Sequence, residues 1–277
     1  MDLNWKDIDP IIEAGLREDG ADADVTTSSL FDIRESGRAV IRTKEDGVVA
    51  GLPVAERVFL KLDAAVRFVA KASDGDRVAA GQVLAELEGP KRALLSGERL
   101  AVNLLQRMSG IATLAAEYVK EVEGLPVKIL DTRKTVPGLR ALDKYAVRAG
   151  GATNHRMSLS DLIMIKDNHI TFAGGIRKAV ETIRKKDRKT RIEVETSSLD
   201  DVREALAAGA DIIMLDNMSI PAMSEAVRGA KGKARIEASG SVRLDNVREI
   251  AETGVDFISV GALTHSVRAL DISMKVA

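Results

Sequence analysis

The feature that most constrains the fold is an internal repeat in the second half of the chain. The stretch from Leu199 to Ile213 recurs from Leu244 to Ile258, an offset of 45 residues (244 − 199). Each copy reads as an acidic helix start, an amphipathic helix closed by glycine and a short apolar strand. Two β/α units of about 22 residues fill the offset, and this even spacing is typical of a β/α barrel.

Six apolar runs alternate with helical patterns along the second half, which predicts a parallel sheet. The runs cover residues 127–130, 162–165, 191–194, 211–215, 234–238 and 257–260. Their regular spacing favours closure of the sheet into a barrel, with an open doubly wound sheet as the alternative.

The N-terminal part of the chain follows a different pattern. A helix over 8–17 precedes short strands over 37–44, 66–71 and 83–88, which glycine and aspartate turns separate. These elements predict a small α+β layer. A long helical region over 93–122 joins the two parts, and we expect the pair Ser109-Gly110 to interrupt it.

Composition excludes several classes of protein. Hydrophobic residues make up 45% of the 277 residues, and 41 basic residues face 42 acidic ones, so the chain can bury a core and carries little net charge. There is no cysteine, which rules out disulfides, zinc–thiolate sites and thiol nucleophiles. Aromatic residues, at 3%, are too few for a stacked nucleic-acid platform, and no apolar stretch has the length of a membrane helix. We expect a cytoplasmic protein with neither nucleic acid nor membrane as a partner.

Polar residues follow every apolar run, and in a barrel these positions surround the active site. Four of them are cations that we expect at one barrel mouth: Arg133, Lys134, Arg156 and Lys166. Like charges gathered there repel one another unless an anion with several negative oxygens lies among them. Arginine suits carboxylate or phosphate, and lysine serves as a point charge on phosphate. The sequence therefore predicts a polyanionic ligand.

Two further groups of strand-end residues complete the predicted site. Glu195 and Asp216 end neighbouring strands, and a magnesium ion with its waters or the hydroxyls of a ribose would satisfy them. The ends at Ser239-Gly240-Ser241 and Val260-Gly261-Ala262 contain glycine and leave backbone N–H groups open to a phosphate. These residues favour a phosphorylated sugar with a divalent ion, beside a second molecule that carries carboxylates.

A Schiff-base aldolase is a rival interpretation, because Lys134 and Lys166 both stand at strand ends. Such a lysine needs a desolvated pocket, whereas each of these has cationic neighbours. Motifs for nucleotide hydrolysis, hydride transfer, serine hydrolysis and zinc proteolysis do not occur in the sequence. Chemistry by positioning and charge is what remains.

Five motifs occur in order along the chain. They are Gly97-Glu98-Arg99-Leu100-Ala101-Val102-Asn103-Leu104-Leu105, Ser109-Gly110-Ile111-Ala112-Thr113, Asp131-Thr132-Arg133-Lys134-Thr135-Val136-Pro137-Gly138, Gly150-Gly151-Ala152-Thr153-Asn154-His155-Arg156 and Lys166-Asp167-Asn168-His169. Together they closely resemble the motifs of the quinolinate phosphoribosyltransferase family of NAD biosynthesis, over essentially the whole chain. The resemblance implies an N-terminal α/β sandwich followed by an incomplete, seven-stranded α/β barrel. It predicts a sandwich with its linking helix over 1–108, a barrel over 109–265 and a C-terminal extension over 266–277 that packs back towards the N-terminal domain.

The resemblance also implies a reaction. Quinolinate would react with 5-phosphoribosyl 1-diphosphate and Mg²⁺ to give nicotinate mononucleotide, diphosphate and carbon dioxide. The family's quinolinate-binding cations then fall on Arg99, Arg133, His155, Arg156 and Lys166, and Thr132 is a further substrate-binding residue. Lys134 lies between the two substrates, Glu195 and Asp216 lie near the ribose and Mg²⁺, directly or through water, and Lys134, Lys166, Glu195 and Asp216 carry catalysis. The 5-phosphate region matches Ser239, Gly240 and Gly261, and Ser241, Val260 and Ala262 are further substrate-binding residues.

By the same resemblance Arg99 acts in trans from a neighbouring subunit, so we expect a homodimer or a dimer-based higher oligomer. Two alternatives stay open: a molybdenum-transport-associated homologue of the same fold, and a non-catalytic barrel that binds a sugar phosphate. The intact Lys166-Asp167-Asn168-His169 motif argues against the first. His169 and His265, taken alone, are interpreted as structural residues.

Overall fold

A computed structural model describes residues 3–276 as mixed α/β. The helices are α1 (Trp5–Glu18), α2 (Val25–Leu30), α3 (Leu52–Leu62), α4 (Lys91–Glu121), α5 (Arg140–Ala149), α6 (Asp167–Ala173), α7 (Ile176–Lys186), α8 (Leu199–Ala208), α9 (Ile220–Ala230), α10 (Val247–Glu252) and α11 (Ala262–His265), with a 3-10 turn at Ala21–Ala23. The strands are β1 (Ser36–Thr43), β2 (Gly47–Val48), β3 (Arg67–Ala70), β4 (Arg77–Val78), β5 (Val83–Pro90), β6 (Lys128–Leu130), β7 (Ile163–Ile165), β8 (Ile192–Thr196), β9 (Ile212–Asp216), β10 (Arg235–Ser239), β11 (Phe257–Ser259) and β12 (Ile272–Val276). No helix in this described range is long and apolar enough to cross a membrane.

Two compact units divide the chain. Within the described range, the first contains residues 3–116, 135–151 and 262–276, and the second contains 117–134 and 152–261. Each unit is built around its own sheet.

The first unit contains a four-stranded antiparallel sheet in the order β12-β1-β5-β3 and a short β2-β4 pair. In β1 every second side chain is buried at Ala39, Ile41 and Thr43, which is the alternation of a strand with one face on a core. Strand β12 pairs with β1, so residues 272–276 join a sheet whose other strands lie between residues 36 and 90.

Helix α4 runs without interruption from Lys91 to Glu121, so the predicted break at Ser109-Gly110 was wrong. Both residues are instead packing positions of the helix. The buried hydroxyl of Ser109 accepts the N–H of Ala50 at 3.1 Å and donates to the carbonyl of Ala50. A Cβ atom on Gly110 would collide with the carbonyl oxygen of Arg268. Close approach of another segment, rather than a turn, explains the small residues.

The second unit contains six parallel strands in the order β6-β11-β10-β9-β8-β7. These are the six strands predicted from the sequence, displaced by at most two residues at their ends. A single parallel bridge between Leu130 and Thr153 adds a seventh position beside β6. Helices α7, α8, α9 and α10 connect successive strands, which is the alternation that the repeat predicted.

The 45-residue repeat has a structural basis at the edge of this sheet where the strands begin. Asp211 accepts the backbone N–H of Ile192 at 2.7 Å and the guanidinium of Arg184. At the matching position Asp256 accepts the N–H of Ile236 at 2.8 Å. Each aspartate therefore ties the start of its own strand to the start of the preceding one.

Arg107 of α4 and Asp143 of α5 form a bidentate ion pair, with both N–H···O distances at 2.8 Å and the carboxylate fully buried. The Arg107→Ala change leaves that carboxylate without its cation, and we expect it to lower the free energy of unfolding by about 3–5 kcal/mol. Urea denaturation measures the loss. The control is Arg38→Ala, because the Arg38–Glu88 pair is exposed; it should lose less than about 1 kcal/mol. Similar losses in the two variants would contradict the assignment.

Candidate active site

A cavity of about 430 Å³ opens where the strands of the second unit end. Its lining residues are Thr132, Arg133, Lys134, His155, Arg156, Met164, Lys166, Glu195, Met214, Asp216, Ser239 and Ser259. All of them belong to the second unit. The four cations predicted to meet at one barrel mouth do so, together with both predicted carboxylates.

A larger depression, of about 740 Å³, lies at the opposite edge near the strand starts. Its acidic residues Asp211 and Asp256 already hold Arg184 and Arg235 through ion pairs. The depression also carries the cations Arg228, Lys231 and Lys233, but none of the five sequence motifs contributes a residue to its lining, whereas three of them line the smaller cavity.

Strand alternation explains which side chains reach the cavity. Side chains two residues apart in a strand point to the same face, so Glu195 follows Glu193 in β8 and Ser239 follows Glu237 in β10. Asp216 ends β9 directly opposite Ser239 in the parallel register. The last residue of each pair borders the cavity mouth, and the earlier one lies deeper in the barrel.

The cations come from the loops that follow these strands. Arg133 and Lys134 lie after β6, Arg156 lies in the segment before β7, and Lys166 is the N-cap of α6. The guanidinium of Arg156 donates to the carbonyl of Leu162 at 3.0 Å and contacts the sulfur of Met164 at 3.5 Å. Burial, and then the nearby charge of Arg133, lower the pKa of Arg156. The pocket therefore concentrates positive charge that an anion would relieve.

Lys166 and Glu195 form an ion pair at 3.0 Å. The sequence predicts separate ligands for these two side chains: quinolinate for the cation Lys166, and the ribose and metal for the carboxylate Glu195. The ion pair joins the two groups at one point. Next to it, the backbone N–H of Lys166 donates to Nδ1 of His169 at 3.0 Å, so His169 stabilises the first turn of α6.

A layer of buried polar groups lies beneath the cations. Asp131, which is fully buried, accepts the side-chain amide of Asn154 at 2.7 Å and the backbone N–H of His155 at 2.8 Å. The motifs at 131–138 and 150–156, which α5 separates in the sequence, thus meet through one carboxylate. This contact fixes the segment that carries Arg156.

Two buried glutamates face the imidazole of His155. Its Nε2 lies 3.2 Å from Glu193 and 3.4 Å from Glu237, and Ser259 donates a short hydrogen bond to Glu237. Burial opposes a charged imidazole, but the N–H that the ring donates towards the carboxylates of Glu193 and Glu237 outweighs it and raises the pKa of His155. Burial also raises the pKa of the Glu193 carboxyl.

Sequence reasoning missed Glu193 and Glu237, although a signal was present. The tripeptides Arg191-Ile192-Glu193 and Arg235-Ile236-Glu237 place a glutamate at the same point of two otherwise apolar strands. A carboxylate inside a buried strand requires a partner. Met164 and Met214, which also line the cavity, carried no such signal.

Several predicted phosphate-site residues lie outside the cavity lining. Gly240 and Ser241 follow β10, and the hydroxyl of Ser241 donates to the side chain of Asn217 at 3.1 Å. Gly261 ends the second unit, whereas Ala262 begins α11 in the first unit. Arg99 lies exposed on α4, also in the first unit.

Val260, a predicted substrate-binding residue, directly follows β11. Its side chain is buried, and its backbone N–H donates to the carbonyl of Leu130 at 2.9 Å. That N–H is used to pair β11 with β6 and is not available to a phosphate. Strand pairing therefore continues through the first residue of the Val260-Gly261-Ala262 end.

Fold and site together define a β/α-barrel protein with a polar pocket at the strand ends that four cations line. Two family models match the chain: the N-terminal domain of quinolinate phosphoribosyl transferase over residues 24–109 and its C-terminal domain over 111–275. The chain belongs to the quinolinate phosphoribosyl transferase family.

Individual relatives agree with this assignment. A probable nicotinate-nucleotide pyrophosphorylase [carboxylating] of Synechocystis sp. is 48% identical, over 98% of this chain and 93% of the relative. The Bacillus subtilis protein of the same description is 44% identical, over 99% and 95%. The crystal structure of NadC from Streptococcus pyogenes superimposes with a TM-score of 0.96 at 43% identity, over 100% of this chain and 99% of that one.

Proposed function

We propose that this chain transfers the phosphoribosyl group of 5-phosphoribosyl 1-diphosphate to quinolinate and decarboxylates the product to nicotinate mononucleotide. The observation that carries the proposal is one cavity lined by Arg133, Lys134, Arg156, Lys166, Glu195 and Asp216. Relatives named for the carboxylating pyrophosphorylase and for the decarboxylating transferase support it. They favour an enzyme over a molybdenum-transport homologue or a non-catalytic sugar-phosphate sensor.

Two adjacent carboxylates on one ring match the cation cluster. Among residues 3–276 the guanidinium of Arg156 has Leu162 and Met164 as partners, so three of its five N–H donors remain for a ligand. Arg133 and Lys166 border the same cavity. A ligand with one carboxylate would leave part of this positive charge unpaired, which costs binding free energy.

Glu195 and Asp216 suit a magnesium ion that arrives with the phosphoribosyl donor. Both offer carboxylate oxygens, which Mg²⁺ prefers, but two carboxylates do not enclose an ion. Mg²⁺ normally completes its octahedron with waters and phosphate oxygens. Such an ion offsets negative charge on the departing diphosphate. In the structure Lys166 already neutralises Glu195, so Asp216 is the more available of the two ligands.

The chemistry needs alignment and charge, with no covalent intermediate on the protein. The ring nitrogen forms a bond to the anomeric carbon while the bond from that carbon to diphosphate breaks. The C–C bond to the neighbouring carboxylate then breaks, and its electron pair remains on the ring carbon beside the cationic nitrogen until a proton arrives. Arg133, Arg156 and Lys166 hold the dicarboxylate, Lys134 lies towards the donor, and Ser239, Gly240, Ser241 and Gly261 face the 5-phosphate.

The decisive experiment is turnover with Mg²⁺ and 5-phosphoribosyl 1-diphosphate. We expect conversion of quinolinate and almost none of nicotinate, because the cation cluster responds to the number of carboxylates. Arg133→Ala and Arg156→Ala should each lose about 2–5 kcal/mol of transition-state stabilisation, roughly 30-fold or more in kcat/KM. Equal use of quinolinate and nicotinate, or a loss below about threefold in both variants, would contradict the proposal.

Replacement of the acidic residues should affect the donor. Asp216→Ala should weaken binding of magnesium phosphoribosyl diphosphate and leave quinolinate affinity nearly unchanged, since a carboxylate has no attractive contact with a dicarboxylate. Glu195→Ala also releases Lys166 from its ion pair, so quinolinate affinity should stay equal or increase. Calorimetric titration of each ligand separates these effects. A fall in quinolinate affinity as large as the fall in donor affinity would refute the division of roles.

Arg99 is proposed to complete the pocket of a second subunit in a homodimer. Mixing Arg99→Ala chains with Arg156→Ala chains should then restore activity, because one site of each heterodimer holds both native residues. Random exchange makes about half of the dimers mixed, and each has one good site of two, so recovery should approach about a quarter of wild type. As a control, mixing Arg133→Ala with Arg156→Ala should restore nothing. Inactivity of the first mixture after verified subunit exchange would exclude sharing.

A further inference from the structure

Both ring nitrogens of His155 are engaged by the protein itself. Nδ1 accepts the backbone N–H of Arg156 at 2.7 Å. Nε2 lies within 3.2 Å of Glu193 and 3.4 Å of Glu237. Although the ring borders the cavity, these contacts direct neither nitrogen towards a ligand in it.

Several strands fix this arrangement from below. Glu193 belongs to β8 and Glu237 to β10, and Ser259 of β11 binds the second oxygen of Glu237. On the other side, Asp131 holds the backbone N–H of His155. The imidazole is thus held between a rigid sheet and the segment that carries Arg156.

The two glutamates raise the pKa of His155 to about 9 and so favour a charged ring. The backbone N–H of Arg156, donated to Nδ1 at 2.7 Å, opposes a second ring proton, and this contact decides where the single ring proton lies. An acceptor at Nδ1 requires that Nε2 carry the hydrogen, and Nε2–H then points at the two carboxylates. A hydrogen on Nδ1 would collide with the N–H of Arg156. His155 is therefore connected to the pocket through the backbone of Arg156.

We propose that Glu193 and Glu237 are positioning residues that hold the His155 imidazole against the backbone of Arg156, and that His155 acts on the ligand through Arg156. The inference rests on the proposed function for the identity of the ligand. It departs from the resemblance, which implies that His155 contacts quinolinate as a cation.

A fixed backbone at Arg156 has a direct consequence for binding. The far end of the side chain is already held by the carbonyl of Leu162 and the sulfur of Met164. With both ends held, the guanidinium loses little conformational freedom when a carboxylate arrives. Release of the backbone end should weaken binding of the dicarboxylate and leave binding of the phosphoribosyl donor unchanged.

A double-mutant cycle tests the route through Arg156. His155→Gln and Glu237→Gln should each weaken quinolinate binding about tenfold in calorimetry, the effect of losing a hydrogen bond in a charged network. In an Arg156→Ala background the same changes should cost less than about twofold, because the residue they position is gone. Lys166→Ala is the control, and its effect should multiply with that of Arg156→Ala. If the losses of quinolinate affinity caused by His155→Gln and by Arg156→Ala multiply in the double variant, the proposal is overturned.

A structural role alone would give a different result. If Glu193, Glu237 and His155 only stabilise the barrel, the variants should lower the melting temperature and weaken binding of both substrates together. We expect an unchanged affinity for 5-phosphoribosyl 1-diphosphate beside the tenfold change for quinolinate. Parallel losses of the two affinities would refute positioning.

A ligand-free measurement separates this inference from the proposed function. The chain has three histidines, so ring ¹⁵N spectra at neutral pH, compared with His155→Gln, identify the His155 signals. We expect a hydrogen on Nε2 and an acceptor at Nδ1. An imidazolium spectrum would overturn the inference even if quinolinate is turned over, and the expected spectrum would support it even if another anion proves to be the substrate.

Discussion

The repulsion among cations gathered at one edge of a parallel sheet is the constraint on which the site depends. Parallel strands all end at the same edge, so the loops that follow them bring Arg133, Lys134, Arg156 and Lys166 together. The protein offsets this charge with carboxylates beneath and beside it, among them Glu193 and Glu195. What positive charge remains faces the cavity, where only an anion can neutralise it.

Each strand thus serves the site at two depths. Residues two apart point to the same side of a strand, so Glu195 meets the cavity mouth while Glu193 lies one layer deeper, and Ser239 and Glu237 repeat the arrangement in β10. The outer residue is available to a ligand, and the inner residue holds the groups that contact it. Mutations at the two depths should therefore differ in what they weaken.

The edge of the sheet where the strands begin has a structural role. There Asp211 and Asp256 join neighbouring strand starts through backbone N–H groups and arginines. These aspartates and arginines are paired within the fold, and the larger depression beside them also carries Arg228, Lys231 and Lys233. The internal repeat is consequently a feature of barrel construction, and the chemistry lies in the loops that differ between its copies.

The sequence by itself determined the parallel strands, the barrel class and the cations at the strand ends, because periodicity and the polar residue that ends a strand are local properties. Only the tertiary structure decided that Glu193 and Glu237 face His155. It also decided that Lys166 pairs with Glu195 and that the N–H of Val260 takes part in strand pairing. The continuation of α4 through Ser109 is a further result of the tertiary structure. Each of these depends on residues distant in sequence, and a local pattern carries no information about which distant group arrives to satisfy a buried charge or donor.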